Sequence, residues 1–221
     1  MEKTMQIKGA IFDLDGTLLD SMGTWAVLSA DFLRERGKEY SDEFLERLRP
    51  LSLREAAALM IETYGIPDSV EEIVDLFLSR VGYFFDHVFE LKRGAGEFVR
   101  GLCARGVPCC VATAAERIHT ETALKRLGLL DAFDFVLTTT EVGKSKFEPD
   151  IFLTAAERLG VAVEDCVVFE DSLYAMTTAK KAGFRVAAIH EPEAAGDLNA
   201  IHAVCDVFLT SFEDAPRIFF S

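Results

Sequence analysis

Apolar residues along this chain follow two patterns, short uninterrupted runs and longer stretches with helical spacing. The uninterrupted runs predict buried strands at residues 7–12, 107–112, 135–137, 166–169, 185–189 and 204–208. From residue 94 onward, helical spacing predicts helices at residues 94–104, 116–127, 149–159 and 172–182, and one more after the last strand. Strands that alternate with helices are typical of a parallel, doubly wound, Rossmann-like α/β sheet.

Residues 21–88 interrupt this alternation, because they contain helical patterns and no convincing strand. Helices are predicted at residues 21–36, 41–48, 53–64 and 70–85, with Ser21 capping the first and Gly37 ending it. We therefore predict a helical cap domain at residues 21–88, inserted into a catalytic core of residues 1–20 and 89–221. An insertion at this point is expected above the cleft at the strand ends.

Composition narrows the possible partners. The 221 residues are 50% hydrophobic and 27% charged, which suits a globular protein with a substantial core. A net charge of −14 disfavours nucleic acids and anionic membranes as partners. We find neither a signal-peptide pattern nor an apolar run near the roughly 18 residues of a membrane span. The five cysteines lack C-x-x-C spacing, so we expect reduced core residues in a cytoplasmic protein.

Acidic residues follow two of the predicted strands. Asp13 and Asp15 come directly after the first strand, and on an extended backbone both carboxylates can face one cleft. Glu170 and Asp171 follow the strand at residues 166–169. Paired carboxylates at the ends of buried strands need a cation to offset their charge. An oxygen-rich set of this kind predicts a Mg²⁺ site.

A hydroxyl and a lysine also lie near predicted strand ends. Thr113 follows the second strand and precedes the small Ala114, so its hydroxyl and nearby backbone N–H groups can hold an anion. Lys146 lies in the loop before the helix at residues 149–159, where it can neutralise a phosphate. Taken alone, Thr113 also suits an ordinary helix N-cap and Lys146 an ordinary surface position. Together with the acidic pairs, they predict a site for Mg²⁺ and a phosphate.

These stretches resemble the four motifs of haloacid dehalogenase (HAD) superfamily phosphatases with a helical cap after strand one. That branch includes β-phosphoglucomutase and phosphoglycolate phosphatase. Residues 13–17 (Asp-Leu-Asp-Gly-Thr) match the first motif, Thr113 the second, Lys146 the third and residues 170–171 (Glu-Asp) the fourth. The resemblance spans nearly the whole chain.

The resemblance implies a phosphomonoester hydrolase that forms an aspartyl-phosphate. Asp13 would attack phosphorus, and Asp15 would protonate the departing alkoxide and then deprotonate the hydrolytic water. Mg²⁺ would be held by Asp13, the backbone carbonyl of Asp15 and Asp171, with Glu170 either a direct ligand or a support for the ligands. The phosphoryl group would be bound by three further residues: Thr113, Ala114 and Lys146.

Two parts of this resemblance are less specific. Phe147 stands where the lysine motif usually has proline, so Lys144 remains an alternative to Lys146. In the cap, Arg49 and Arg54 match the position of the family's substrate loop and could bind a polar or anionic leaving group. A solvated helix start explains the same two arginines equally well.

Three other functions remain open at this point. A β-phosphoglucomutase-type phosphomutase uses the same motifs, although Thr17 favours a phosphatase because the family's mutases often have valine there. A phosphorylatable receiver is disfavoured by the inserted cap, and a non-catalytic binding protein by the intact motifs. We expect a small phosphorylated metabolite, such as a sugar phosphate, as the substrate and a monomer or weak dimer as the assembly.

Overall fold

The chain divides into two compact units, one of residues 1–20 and 89–221 and the other of residues 21–88. The computed structural model describes residues 5–48, 51 and 53–220. Within those residues, no helix combines the length and the apolar composition needed to span a membrane. Arg49 lies outside the described residues.

The smaller unit is helical. Its helices are α1 (Met22–Glu35), α2 (Asp42–Leu48), α3 (Leu53–Tyr64) and α4 (Val70–His87). Phe32 and Phe77 meet in its core with ring centroids 5.4 Å apart. Ser69 begins α4 with a capping box to Glu72. Ser21 precedes α1, but its side chain makes no capping hydrogen bond, so its predicted capping role is wrong in that respect.

The larger unit is built on a parallel sheet. Its strands are β1 (Gly9–Phe12), β2 (Cys109–Thr113), β3 (Phe135–Thr138), β4 (Cys166–Glu170), β5 (Arg185–Ile189) and β6 (Val207–Leu209). They are arranged in the order β3-β2-β1-β4-β5-β6, and all neighbours are parallel. The sheet confirms the predicted doubly wound α/β class.

Helices connect the strands of this sheet. They are α5 (Ala95–Cys103), α6 (Arg117–Arg126), α7 (Thr139–Val142), α8 (Asp150–Leu159), α9 (Leu173–Lys181), α10 (Leu198–Val204) and α11 (Ala215–Phe219). The predicted strand at residues 204–208 begins too early, because Val204 ends α10. Asp206 then exchanges backbone and side-chain hydrogen bonds with Val186, so pairing with β5 starts only at Val207.

Apolar layers cover both faces of the sheet. On one face, Phe12 and Phe169 from adjacent strands stack with ring centroids 4.4 Å apart. On the other, Phe152 of α8 and Met176 of α9 pack against β1, β2 and β4. Strands covered on both faces need continuous apolar side chains, which explains the uninterrupted runs. All five cysteines are free, but Cys103 is exposed, so its predicted core location is wrong.

The two chain segments that lead to and from the smaller unit pair with each other. The Leu18 carbonyl accepts the Lys92 N–H at 2.7 Å, and the Asp20 N–H donates to the Glu90 carbonyl at 3.0 Å. Leu19 forms an antiparallel bridge with the second segment. The larger unit therefore holds both connections side by side.

Candidate active site

The candidate site lies at the carboxyl ends of three neighbouring strands, β2, β1 and β4. Phe12 of β1 is in register with Val111 of β2 and Phe169 of β4. Asp13 comes next, and its N–H donates to the Phe169 carbonyl at 3.0 Å. Residues that follow these strands therefore emerge together, at the edge where open α/β sheets bind ligands.

Lys146 joins carboxylates from two of these strands. Its Nζ donates to Oδ1 of Asp13 and, at 2.7 Å, to Oε1 of Glu170. The Lys146 side chain is only 3% exposed. Burial alone lowers the pKa of Lys146, but the charges of Asp13 and Glu170 raise it above its usual range. Lys146 is therefore a fixed cation at the centre of the site.

The loop after α7 distinguishes Lys146 from Lys144. The helix ends at Gly143, whose φ of +74° is a left-handed conformation that glycine adopts without strain. After this turn, Lys144 is exposed and Lys146 is buried. Only Lys146 of the two reaches the carboxylates of the site.

Glu170 uses both of its oxygens. While Oε1 accepts from Lys146, Oε2 accepts the N–H groups of Asp171 and Ser172, each at 3.0 Å. The Glu170 side chain is 1% exposed. Its carboxylate thus orients Lys146 and fixes the turn that presents Asp171.

Asp171 has a buried hydroxyl partner. The Thr17 Oγ1 donates to Oδ1 of Asp171 at 3.3 Å. Gly16, with φ of +75°, lets the chain turn between Asp15 and Thr17. The first motif therefore supplies both Asp13 and a hydrogen bond to the aspartate of the fourth motif.

Three of these carboxylates lie close enough together to form a candidate metal site. One oxygen from each of Asp13, Glu170 and Asp171 lies within 4.8 Å of the others. Burial raises the pKa of Asp13 to about 7, against the lowering effect of Lys146. Burial, followed by the charge of Glu170, raises the pKa of Asp171 well above its usual range. The one positive charge of Lys146 does not offset three carboxylates, and their oxygen atoms fit a hard divalent cation.

The other predicted site residues are located as follows. Asp15 is half-buried and its charge raises the pKa of Asp13, but its carboxylate is not part of the three-residue set found among the described residues. Thr113 is buried at the end of β2, where its Oγ1 accepts the Ala115 N–H at 3.0 Å, and Ala114 is exposed. Arg54 belongs to the smaller unit, where it pairs with Glu71 at 2.7 Å.

Sequence reasoning did not find a second, partly buried ion pair near Asp171. Lys92 Nζ donates to Oε2 of Glu191 at 2.7 Å and to the His190 carbonyl at 2.9 Å. The charge of Lys92 lowers the pKa of Asp171, in opposition to burial. Glu191 is the second residue after β5, and an acidic residue close to the carboxyl end of a strand was the available signal.

These features define an α/β protein with a lysine and carboxylate cluster at the carboxyl edge of its sheet. A family model described as a haloacid dehalogenase-like hydrolase matches residues 10–189. The chain belongs to this HAD-like hydrolase family, as its motifs predicted.

Curated relatives and solved structures agree with this membership. The chain is 34% identical to a "Probable pseudouridine-5'-phosphatase" of Drosophila melanogaster, over 85% of this chain and 83% of that protein. It is 30% identical to hexitol phosphatase B of Escherichia coli K12, over 97% of this chain and 96% of that protein. A structure from Thermotoga maritima described as a "putative beta-phosphoglucomutase" superposes with a TM-score of 0.81 at 25% identity, covering 96% of this chain and 98% of that one.

Proposed function

We propose that this HAD-family phosphatase hydrolyses phosphomonoesters of small metabolites through an aspartyl-phosphate on Asp13, with Mg²⁺ as its cofactor. The observation that carries the proposal is the buried cluster in which Lys146 bridges Asp13 and Glu170 beside Asp171. The names of relatives support the substrate class, because they describe phosphatases for pseudouridine 5'-phosphate and for hexitol phosphates.

Asp13 and Asp15 would carry the covalent steps. A carboxylate oxygen of Asp13 attacks phosphorus, the bond to the leaving oxygen breaks, and Asp15 donates its proton to that oxygen. Asp15 then takes a proton from water, whose oxygen attacks phosphorus and breaks the bond to Asp13. The products are inorganic phosphate and the dephosphorylated alcohol, with both aspartates restored.

Lys146 and the end of β2 would bind the phosphoryl group. Lys146 is a buried cation next to the nucleophilic carboxylate, so it can stabilise the negative charge of the phosphoryl oxygens. Thr113 lies at the end of the neighbouring strand, and the Ala114 N–H follows it in an exposed turn. These groups would hold the phosphoryl oxygens while Asp13 attacks.

Asp13, Asp171 and the backbone carbonyl of Asp15 would hold the Mg²⁺. The bound ion supplies electrostatic stabilisation of the negative charge shared by nucleophile and phosphoryl group. Glu170 fits better as a support than as a ligand, because both of its oxygens already accept hydrogen bonds from Lys146 and the backbone. We assign residues 21–88 to a helical cap domain and the rest of the chain to the catalytic core.

A phosphomutase of the β-phosphoglucomutase type is the second candidate. The Thermotoga maritima structure, which covers nearly the whole chain, favours it. Thr17 favours the phosphatase. Conversion of a sugar 1-phosphate to its 6-phosphate isomer, without release of free phosphate, would support the mutase instead.

The test is release of phosphate from a panel of sugar phosphates, polyol phosphates and nucleotides, with and without Mg²⁺. We expect Mg²⁺-dependent release by the wild type and none by Asp13→Asn. Asp20→Asn is the matched control, because Asp20 is exposed and close in sequence. Lys146→Ala should weaken release, and the exposed Lys144→Ala should not. Activity in pure Asp13→Asn protein would refute the covalent mechanism.

A further inference from the structure

Two aromatic rings form an exposed stack on the larger unit. The rings of Phe147 and Tyr174 have centroids 4.5 Å apart and planes inclined by 25°. Phe147 is 70% exposed and Tyr174 is 42% exposed. The Thr178 hydroxyl lies 3.3 Å from the Phe147 carbonyl and 3.0 Å from the Tyr174 carbonyl, so it connects the two backbones. The stack is therefore ordered, although it contributes little to the buried core.

The stack borders the candidate active site. Phe147 directly follows Lys146, and Tyr174 is the third residue after Asp171. Burial, followed by the charge of Glu170, raises the pKa of the Tyr174 phenol to about 12, against the lowering effect of Lys146. The phenol is thus within electrostatic reach of the catalytic cluster, and it remains a protonated hydrogen-bond donor at neutral pH.

We propose that Phe147 and Tyr174 form a stacking platform for a planar ring in the leaving group of the substrate. The preferred substrates are then phosphomonoesters that carry a nucleobase or a comparable heteroaromatic ring. This inference rests on the proposed phosphatase function and names a substrate class for it.

Two arguments favour a ring as the occupant. Stacking within the pair uses one face of each ring, and the exposure of Phe147 leaves much of its ring open to a third ring. A phosphoryl group bound at Lys146 would hold one end of the substrate close to Phe147, the next residue in the chain. A polyol has no π-face to stack.

The test compares ring-bearing with ring-free esters. Uridine 5'-monophosphate and riboflavin 5'-phosphate are the ring-bearing probes, and glycerol 3-phosphate and a hexitol phosphate are the ring-free ones. Because alanine substitution of a stacking residue weakens base binding by roughly 5- to 150-fold, Phe147→Ala should raise KM for the ring-bearing esters by about that factor. It should leave KM for the ring-free esters unchanged. Phe147→Trp should restore binding, whereas Phe147→Leu, which keeps apolar bulk without a π-face, should not.

A binding measurement separates this inference from the proposed function. Calorimetric titration of Asp13→Asn protein with the same four esters reports ring preference without turnover. Tighter binding of ring-bearing esters that is lost in the Phe147→Ala double variant would support the platform even if the wild type released no phosphate. Equal binding of both classes, or an equal loss for both in the double variant, would overturn the platform while leaving phosphatase activity intact.

Discussion

Replacing Glu170 by glutamine separates two roles that its carboxylate can have, as a ligand of the cation or as a support for Lys146 and the Asp171 turn. Glutamine keeps the size and shape of the side chain but has one acceptor oxygen instead of two. That oxygen can accept from Lys146 or from the two backbone N–H groups, but not from both. The amide nitrogen of glutamine is itself a hydrogen-bond donor and faces the remaining donor group, either Lys146 or the two backbone N–H groups. The hydrogen bonds to that group are therefore lost.

The magnitude follows from the hydrogen bonds that Glu170 makes. They measure 2.7 Å to Lys146 and 3.0 Å to each backbone N–H. Losing one buried, charge-assisted hydrogen bond costs about 1.5–3 kcal/mol in the free energy of unfolding. Relief of repulsion with Asp13 and Asp171 offsets part of this, so we expect a loss of about 1–2 kcal/mol. For a chain of this size, that lowers Tm by roughly 2–8 °C.

The assay measures kcat and Mg²⁺ affinity for Glu170→Gln and Asp171→Asn in parallel. Support through Lys146 predicts that Glu170→Gln lowers kcat by about 10- to 100-fold. Its Mg²⁺ affinity, measured by calorimetry without substrate, should remain at least roughly tenfold better than that of Asp171→Asn. Equal losses of Mg²⁺ affinity in the two variants would refute the reasoning and make Glu170 a direct ligand.

Three further predictions concern other parts of the chain. Thr17→Val removes the 3.3 Å hydrogen bond to the aspartate of the fourth motif and should weaken Mg²⁺ binding by about tenfold in a calorimetric titration, whereas Thr17→Ser should not. Arg36 hydrogen-bonds to Asp68 and holds the pKa of that carboxyl below its usual range, so this pair stabilises the fold above about pH 4 and loses its effect as the pH falls. Asp68→Asn should therefore lower the free energy of unfolding by about 1 kcal/mol at pH 7 and by less near pH 3 in urea titrations, and a constant difference would contradict the linkage. A Cβ at Gly94, whose φ is +80°, would lie 2.6 Å from the backbone nitrogen of Glu213. A Cβ at Gly106 would meet no atom within 4 Å, so Gly106→Ala should cost only the left-handed backbone penalty of about 1–2 kcal/mol. Gly94→Ala should therefore lower the free energy of unfolding clearly more than Gly106→Ala.

Elements with strong boundary signals could be predicted from the sequence with little error. The strand at residues 185–189 and the helix at residues 53–64 have the predicted ends. The helical pattern lies between Ser52 and Gly65, and the apolar run of the strand lies between Arg185 and His190. The short helix Thr139–Val142 was missed, since four residues are too few to show helical periodicity. Its capping box, Thr138 with Glu141, was the signal that could have found it.

The partners within the site were less accessible to sequence reasoning. Asp13, Glu170 and Asp171 could be assigned to one edge of the sheet, because parallel strands all end there. The choice between Lys144 and Lys146 depends on the turn at Gly143, and motif spacing alone left it open. Similarly, the sequence does not reveal that the second oxygen of Glu170 accepts backbone N–H groups, since that depends on the path of the turn after β4.

The paired segments at residues 18–20 and 90–92 bear on how this chain can vary over evolution. Leu18 hydrogen-bonds to Lys92 and Asp20 to Glu90, so the segment that leaves the larger unit lies beside the segment that returns to it. An inserted segment with adjacent ends imposes no displacement on the strands around it. For a flexible inserted loop, doubling the length costs only about 0.6 kcal/mol in chain entropy. Residues 21–88 thus occupy a position where whole modules can be exchanged, lengthened or shortened while β1 and its neighbours keep their register.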